Sequence, residues 1–365
     1  MVPHAHRFSW HSFVVPAVAF ATGFVLVVVA PHREDDSLLS SVVGSGALVL
    51  LALTVVATLR HAERVSHMFG RVAGTIAFTV AANVVEVSII AFMMLHKQNN
   101  PTLARDTVFG IVMVTCCGVI GACLVLGALK HRQQEVDSQA TSAYLGVLVA
   151  LVTIFLVLPS FLPPRTEWRE QARDVISAII SLALYGLFLA IKVVSGRAEA
   201  GRGQPSEAWR AGGAKPLVLS GVFALLGLGG IVFLAKEVST DVEDLLLQFG
   251  FVNTDAIVGA TVAMLVLLPE SLDALHAATQ RSVQTSLDIA LGAALASIGL
   301  LIPSIVLIGA MTGREVILGV DEPSIVILAL TLVLSIISFG SGRTNMLTGA
   351  VHLVVFGMFV LMLFA

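Results

Sequence analysis

Charged side chains are scarce in this sequence: Asp, Glu, Lys and Arg together make up 12% of 365 residues, about half the roughly 25% of an ordinary soluble domain. With 57% of the residues hydrophobic, a soluble fold lacks the polar surface to cover them. Cysteine is nearly absent. The three present, Cys116, Cys117 and Cys123, share one apolar stretch and show neither disulfide-framework nor zinc spacing, so they read as small packing residues. An excess of basic charge is missing too: 21 Lys and Arg against 24 Asp and Glu give a net charge of −3, and without a basic patch nucleic acid drops out as a partner. The sequence holds no H-E-x-x-H zinc motif and no G-x-S-x-G nucleophile elbow, so no enzyme class is supported and no cofactor is expected.

Long apolar runs are what the chain does have. They recur about every 30 residues, each near the roughly 20 residues that cross a hydrocarbon core as a helix. Hydropathy predicts eleven spans, at 11–30, 37–59, 72–95, 106–128, 142–163, 173–194, 216–236, 254–277, 286–311, 322–339 and 345–365. The fold class expected is therefore an all-α membrane protein whose main partner is the lipid bilayer. Arg7 precedes an apolar stretch too long for a signal-peptide core, so 11–30 is read as a retained helix. Eleven spans put the termini on opposite sides. The face carrying the N-terminus then holds 13 of the 21 Lys and Arg residues and the other face 8, which predicts a cytoplasmic N-terminus.

The two halves repeat one another. Glu86 and Glu270 lie inside apolar spans at an offset of 184 residues, and Asp106, Gly110 and Thr115 match Asp288, Gly292 and Ser297 at an offset of 182. Internal repeats are common in transporters. The reading is an N-terminal helix in 1–36, a first five-helix repeat in 37–194, a polar linker at 195–215 and a second five-helix repeat in 216–365. An odd number of spans per repeat makes the second copy enter the membrane from the other side. Inverted repeats bring matching helices together near the midplane, so Glu86 and Glu270 are expected to face each other.

An ionised carboxylate at mid-membrane costs at least about 2.5–3.5 kcal/mol, and intramembrane acids mark ion or proton paths by default. Burial favours the neutral acid, and two carboxyls in one site favour it further, which makes protons credible substrates. A hard divalent cation and a pair of protons cancel the same charge, so one pair of glutamates holds either but not both. Pro269, immediately before Glu270, is expected to break the helix and release carbonyls around Leu265 and Val266. Asn83 and Ser88 flank Glu86 and offer side-chain oxygens, with helix–helix hydrogen bonding as the other reading of Ser88. Thr115 and Ser297 are either packing residues or contributors to the ion path. Asp106 and Asp288 stand at predicted helix starts and are read as caps. His276 and His352 are read as structural histidines, with proton relay as the alternative. The acidic run Ser239 to Asp244 is read as a solvated face.

These residues resemble the calcium/proton exchangers of the cation/Ca²⁺ exchanger superfamily, and most closely their bacterial sodium-potassium/calcium:proton branch. The resemblance covers nearly the whole chain and rests on LRHAERVSHMFG, the N-x-x-E of Asn83 to Glu86, LARDTVFGIVM, LPESLDALHAATQ around Glu270 and SFGSGRTNMLTGAVHL. It implies exchange of Ca²⁺, Na⁺ or K⁺ for H⁺ across a bacterial inner membrane, with Glu86 and Glu270 as the essential pair. Where the broader family repeats G-N-A-x-E, this chain reads Ala82 to Glu86 and then Val266 to Glu270, so the second site lacks its asparagine. That departure keeps open a mainly Na⁺(K⁺)/H⁺ antiporter with weak Ca²⁺ activity. A cation channel is the other class in competition.

Overall fold

A computed structural model describes residues 11–25, 37–66, 71–96, 101–131, 134–163, 167–200, 218–234, 257, 259–261, 263–264, 267–280 and 283–364. Helices follow from apolar composition in lipid, where each backbone polar group must be satisfied within its own segment. They are α1 (His11–Phe24), α2 (Ser37–Ser66), α3 (Arg71–His96), α4 (Leu103–Met113), α5 (Ile120–His131), α6 (Ser138–Val152), α7 (Leu158–Phe161) and α8 (Glu167–Ala200). The second half supplies α9 (Val218–Leu234), then α10 (Leu268–Gln280), α11 (Val283–Thr312), α12 (Glu322–Gly340) and α13 (Met346–Leu363). Six segments among the described residues are long and apolar enough to cross a membrane, and four shorter apolar helices accompany them.

Two of the long helices carry π-turns. Val114–Val119 joins α4 to α5, and Thr153–Val157 joins α6 to α7. Hydropathy cannot see such turns, because they change the hydrogen-bond register and leave the apolar composition untouched. Helix α8 runs on to Ala200, into the polar stretch expected as a linker at 195–215. The run Ser239 to Asp244 lies outside the described residues.

The chain forms two compact units, one of Met1–His96 with Val193–Leu245, the other of Lys97–Lys192 with Leu246–Ala365. Each draws on both halves of the sequence. In the first unit α2 packs between α1 and α3, and α9 lies so close to α1 that a Cβ on Gly230 would meet Ala19 at 3.0 Å.

The second unit is built around the Leu103–Lys130 segment, which is 83% buried over its most apolar stretch, against 17% for Arg169–Lys192 at the periphery. Helix α13 packs on α5 through two glycines: a Cβ on Gly349 would sit 2.8 Å from the Gly121 carbonyl oxygen. A two-stranded antiparallel ribbon, β1 (Gln134–Glu135) with β2 (Arg343–Thr344), ties the α5–α6 connection to the α12–α13 connection.

Candidate functional site

The first unit positions Asn83 and Glu86 on one face of α3, three residues apart and therefore neighbours on the helix surface. Both are buried, Glu86 with 1% of its surface exposed. Val80 and Val84 occupy the exposed face. Asn83 Nδ2 donates to the Thr79 carbonyl at 2.9 Å, while its Oδ1 is buried with no hydrogen-bond partner among the described residues. A buried acceptor left in this way costs about 1–3 kcal/mol unless something else meets it. Ser88 lies elsewhere on the helix: its Oγ donates to the Val84 carbonyl at 2.6 Å.

Sequence reasoning missed one feature of this unit. Helix α2 buries Thr54, Thr58 and His61 and packs on α3. The His61 ring is stacked on Phe223 at 5.7 Å and meets Phe13 edge-on at 5.2 Å. His61 is the first histidine of the LRHAERVSHMFG segment, and the signal was a histidine in an otherwise apolar stretch.

In the second unit Glu270 is the third residue of α10. The interruption expected from Pro269 is present. Helical residues at 259–261 and 263–264 give way to a turn at Leu267 before α10 begins at Leu268. The Leu267 amide still reaches the Ala263 carbonyl at 3.0 Å, and the Ser271 amide reaches Leu267 at 2.8 Å. Leu265 and Val266, whose carbonyls were expected to be released, lie outside the described residues. Glu270 Oε2 is buried and has no hydrogen-bond partner among the described residues.

Several elements of this unit converge on α10 and on the segment that precedes it. Helix α4 approaches the segment before it through facing glycines: a Cβ on Gly110 would stand 3.1 Å from Ala260 Cα, and one on Gly259 would stand 2.9 Å from the Thr107 nitrogen. The Val114–Val119 π-turn, with Thr115 at 2% exposure, touches both α10 and α11. Helix α11 packs along α10 and carries Ser297 at 5% exposure.

The two aspartates read as helix caps are not caps. Thr102 occupies the position before α4, and Asp106, in its first turn, accepts from Arg105 Nε at 2.8 Å. Helix α11 starts at Val283, which puts Asp288 inside it, where it accepts from Gln284 Nε2 at 3.1 Å and from the Tyr144 hydroxyl. Charged or polar neighbours hold both residues within the protein. His276 is exposed near the end of α10, and His352 is fully buried in α13.

Comparison with known proteins agrees with this architecture. The family described as sodium/calcium exchanger protein matches residues 36–194 and 219–365. The y4hA protein of Sinorhizobium fredii is 36% identical over 366 residues, covering 99% of this chain and 97% of that one. The sodium-potassium/proton antiporter ChaA of Escherichia coli is 32% identical over 332 residues, covering 87% of this chain and 88% of its own. The crystal structure of the Ca²⁺/H⁺ antiporter protein YfkE superposes with a TM-score of 0.72 at 17% identity, covering 97% of this chain and 98% of that one. A match across both halves, and relatives that align nearly end to end, establish that the chain belongs to the sodium/calcium exchanger family of membrane transporters.

Proposed function

We propose that the protein is a secondary cation/proton antiporter that exports Ca²⁺ in exchange for H⁺, using Glu86 and Glu270 as alternating acceptors of cation and proton. The observation that carries this reading is the pair of repeat-related glutamates, each withdrawn into its own unit, with Glu270 Oε2 left without a partner among the described residues. A buried carboxylate oxygen with no donor calls for a proton or a cation. Neutral oxygens supplement the acids: Asn83 Oδ1 beside Glu86, and Thr115 and Ser297 on the elements packed against α10. Ser88 Oγ donates its hydrogen to the Val84 carbonyl, which leaves its oxygen lone pairs available to join this set.

Transport follows from competition. Ca²⁺ neutralises both carboxylates and so do two protons, which makes loading with one the release of the other. Alternating access presents the pair first to one side of the membrane and then to the other. The membrane is a bacterial inner membrane, with the N-terminus in the cytoplasm.

A second reading is a mainly Na⁺(K⁺)/H⁺ antiporter. It is favoured by the 32% identity to a sodium-potassium/proton antiporter and by Leu267 at the position where the family's second repeat has asparagine.

Proteoliposomes holding a pH gradient test both readings, with Ca²⁺, Na⁺ and K⁺ added separately. The antiporter discharges the gradient with its own cation, and Glu86→Gln and Glu270→Gln each abolish that discharge. Discharge by Ca²⁺ alone supports the first reading, and discharge by Na⁺ or K⁺ with weak Ca²⁺ activity the second. If no cation moves protons, or if both variants keep full activity, the proposal fails.

A further inference from the structure

The last helix contains a fully buried histidine whose two ring nitrogens are both engaged. His352 Nδ1 lies 2.8 Å from the Cys116 carbonyl oxygen, and Nε2 lies 3.0 Å from Ser338 Oγ. A carbonyl oxygen only accepts, so Nδ1 carries the hydrogen of the neutral ring and Nε2 accepts from the Ser338 hydroxyl. The Phe339 ring is stacked alongside at 6.1 Å.

The carbonyl that receives Nδ1–H belongs to the Val114–Val119 π-turn. Such turns interrupt the regular helical ladder and are frequent at functional sites. This one sits at the centre of the second unit, in contact with α10, α11, α12 and α13. It is fixed on a second side by its next residue, where Cys117 Sγ lies 3.3 Å from Thr331 Oγ1. Helix α13 reaches the α5 end of the same segment by backbone contact, since a Cβ on Gly121 would meet the Gly349 oxygen and His352 Cβ, each at 3.1 Å.

We propose that His352 is a positioning residue for the cation site: its Nδ1–H, held on the Cys116 carbonyl, fixes the π-turn that carries Thr115 against the helix bearing Glu270. The inference rests on the antiporter reading, because the site it positions is the one proposed for cation and proton. It assigns the histidine a hydrogen-bond donor's role and no part in moving protons.

Isosteric replacements separate the two nitrogens. In His352→Asn the side-chain amide keeps an N–H at the place of Nδ1, whereas His352→Gln places its amide near Nε2, and His352→Leu has neither. In the full chain reconstituted in proteoliposomes, His352→Asn and Ser338→Ala are expected to hold the cation half-saturation concentration within about twofold of the parent. His352→Gln and His352→Leu are expected to raise it about tenfold at an unchanged maximal rate, the effect of leaving one buried carbonyl without its donor. Equal loss in the Asn and Leu variants overturns the proposal, as do four variants that all match the parent. Loss of proton movement in both the Asn and Gln variants likewise overturns it and makes His352 a relay.

Amide hydrogen exchange over Val114–Gly121 in detergent-solubilised protein gives a readout that does not depend on transport. Faster exchange is expected in His352→Leu and parental exchange in His352→Asn. That pattern in a protein that moves no cation leaves the brace standing and the antiporter reading refuted. Unchanged exchange in His352→Leu refutes the brace whatever the transport result.

Discussion

Gly110 and Gly292 are related by the internal repeat, yet the structure gives them opposite tolerances. A Cβ at Gly110 would lie 3.1 Å from Ala260 Cα and 3.2 Å from Ala263 Cβ, and one at Gly259 would lie 2.9 Å from the Thr107 nitrogen and 3.0 Å from the Asp106 carbonyl carbon. Carbon atoms rest at about 3.5–4.0 Å, so Gly110→Ala must push α4 from the 257–264 segment by roughly 0.5 Å. Most of the opposing atoms are backbone and cannot rotate away. Overpacking of this kind costs about 1–3 kcal/mol, a factor of about 5–150 at 1.4 kcal/mol per decade. Because the displaced segment leads into the turn before Glu270, the cost is expected in the cation half-saturation constant, in the thermal midpoint, or divided between them. At Gly292 the nearest atom to a Cβ is Tyr144 Cε1 at 3.8 Å, an ordinary contact, so Gly292→Ala is expected to stay within about 0.5 kcal/mol of the parent. The assay is cation-driven proton efflux from proteoliposomes against cation concentration, paired with thermal unfolding in detergent. Gly110→Ala equal to the parent in both, or Gly292→Ala as damaging as Gly110→Ala, would refute this reasoning.

Two further outcomes follow from the same geometry. Gly349→Ala places a Cβ 2.8 Å from the Gly121 oxygen, Leu124 Cβ and Val125 nitrogen. It should cost the upper end of about 1–3 kcal/mol, read as a lower yield of monodisperse protein on size-exclusion chromatography. Asn83→Leu removes a buried carbonyl oxygen that lacks a partner among the described residues. Thermal stability should hold or rise, while the cation half-saturation constant rises about tenfold; an unchanged constant would remove Asn83 from the ligand set.

Much of the framework was legible because the bilayer leaves a chain few options. Uninterrupted apolar length implies a helix in lipid, and the described helices fall on the spans that hydropathy marks. The interruption ahead of Glu270 was legible for a local reason as well, since Pro269 cannot donate to the ladder. Long-range contacts were not legible. The π-turn at Val114–Val119 is engaged by His352, 236 residues beyond Cys116, and nothing in VTCCGV announces it. The capping roles expected of Asp106 and Asp288 failed because the helices begin earlier than their apolar cores do. In α4 that start is at Leu103 and in α11 it is at Val283, which moves each aspartate inward onto a side-chain partner. The repeat likewise predicted matching residue types at Gly110 and Gly292 without their surroundings, which depend on what packs against each copy.

The central claim is that cation and proton compete for the same two carboxylates, and proton release on cation binding tests it most directly. Purified protein in weakly buffered detergent is titrated with Ca²⁺, and separately with Na⁺ and K⁺, while bulk pH is followed. The account predicts release of up to roughly two protons per divalent ion bound, reduced in Glu86→Gln and in Glu270→Gln and absent in the double variant. Stoichiometric cation binding with no proton release, or release that survives in the double variant, would contradict it.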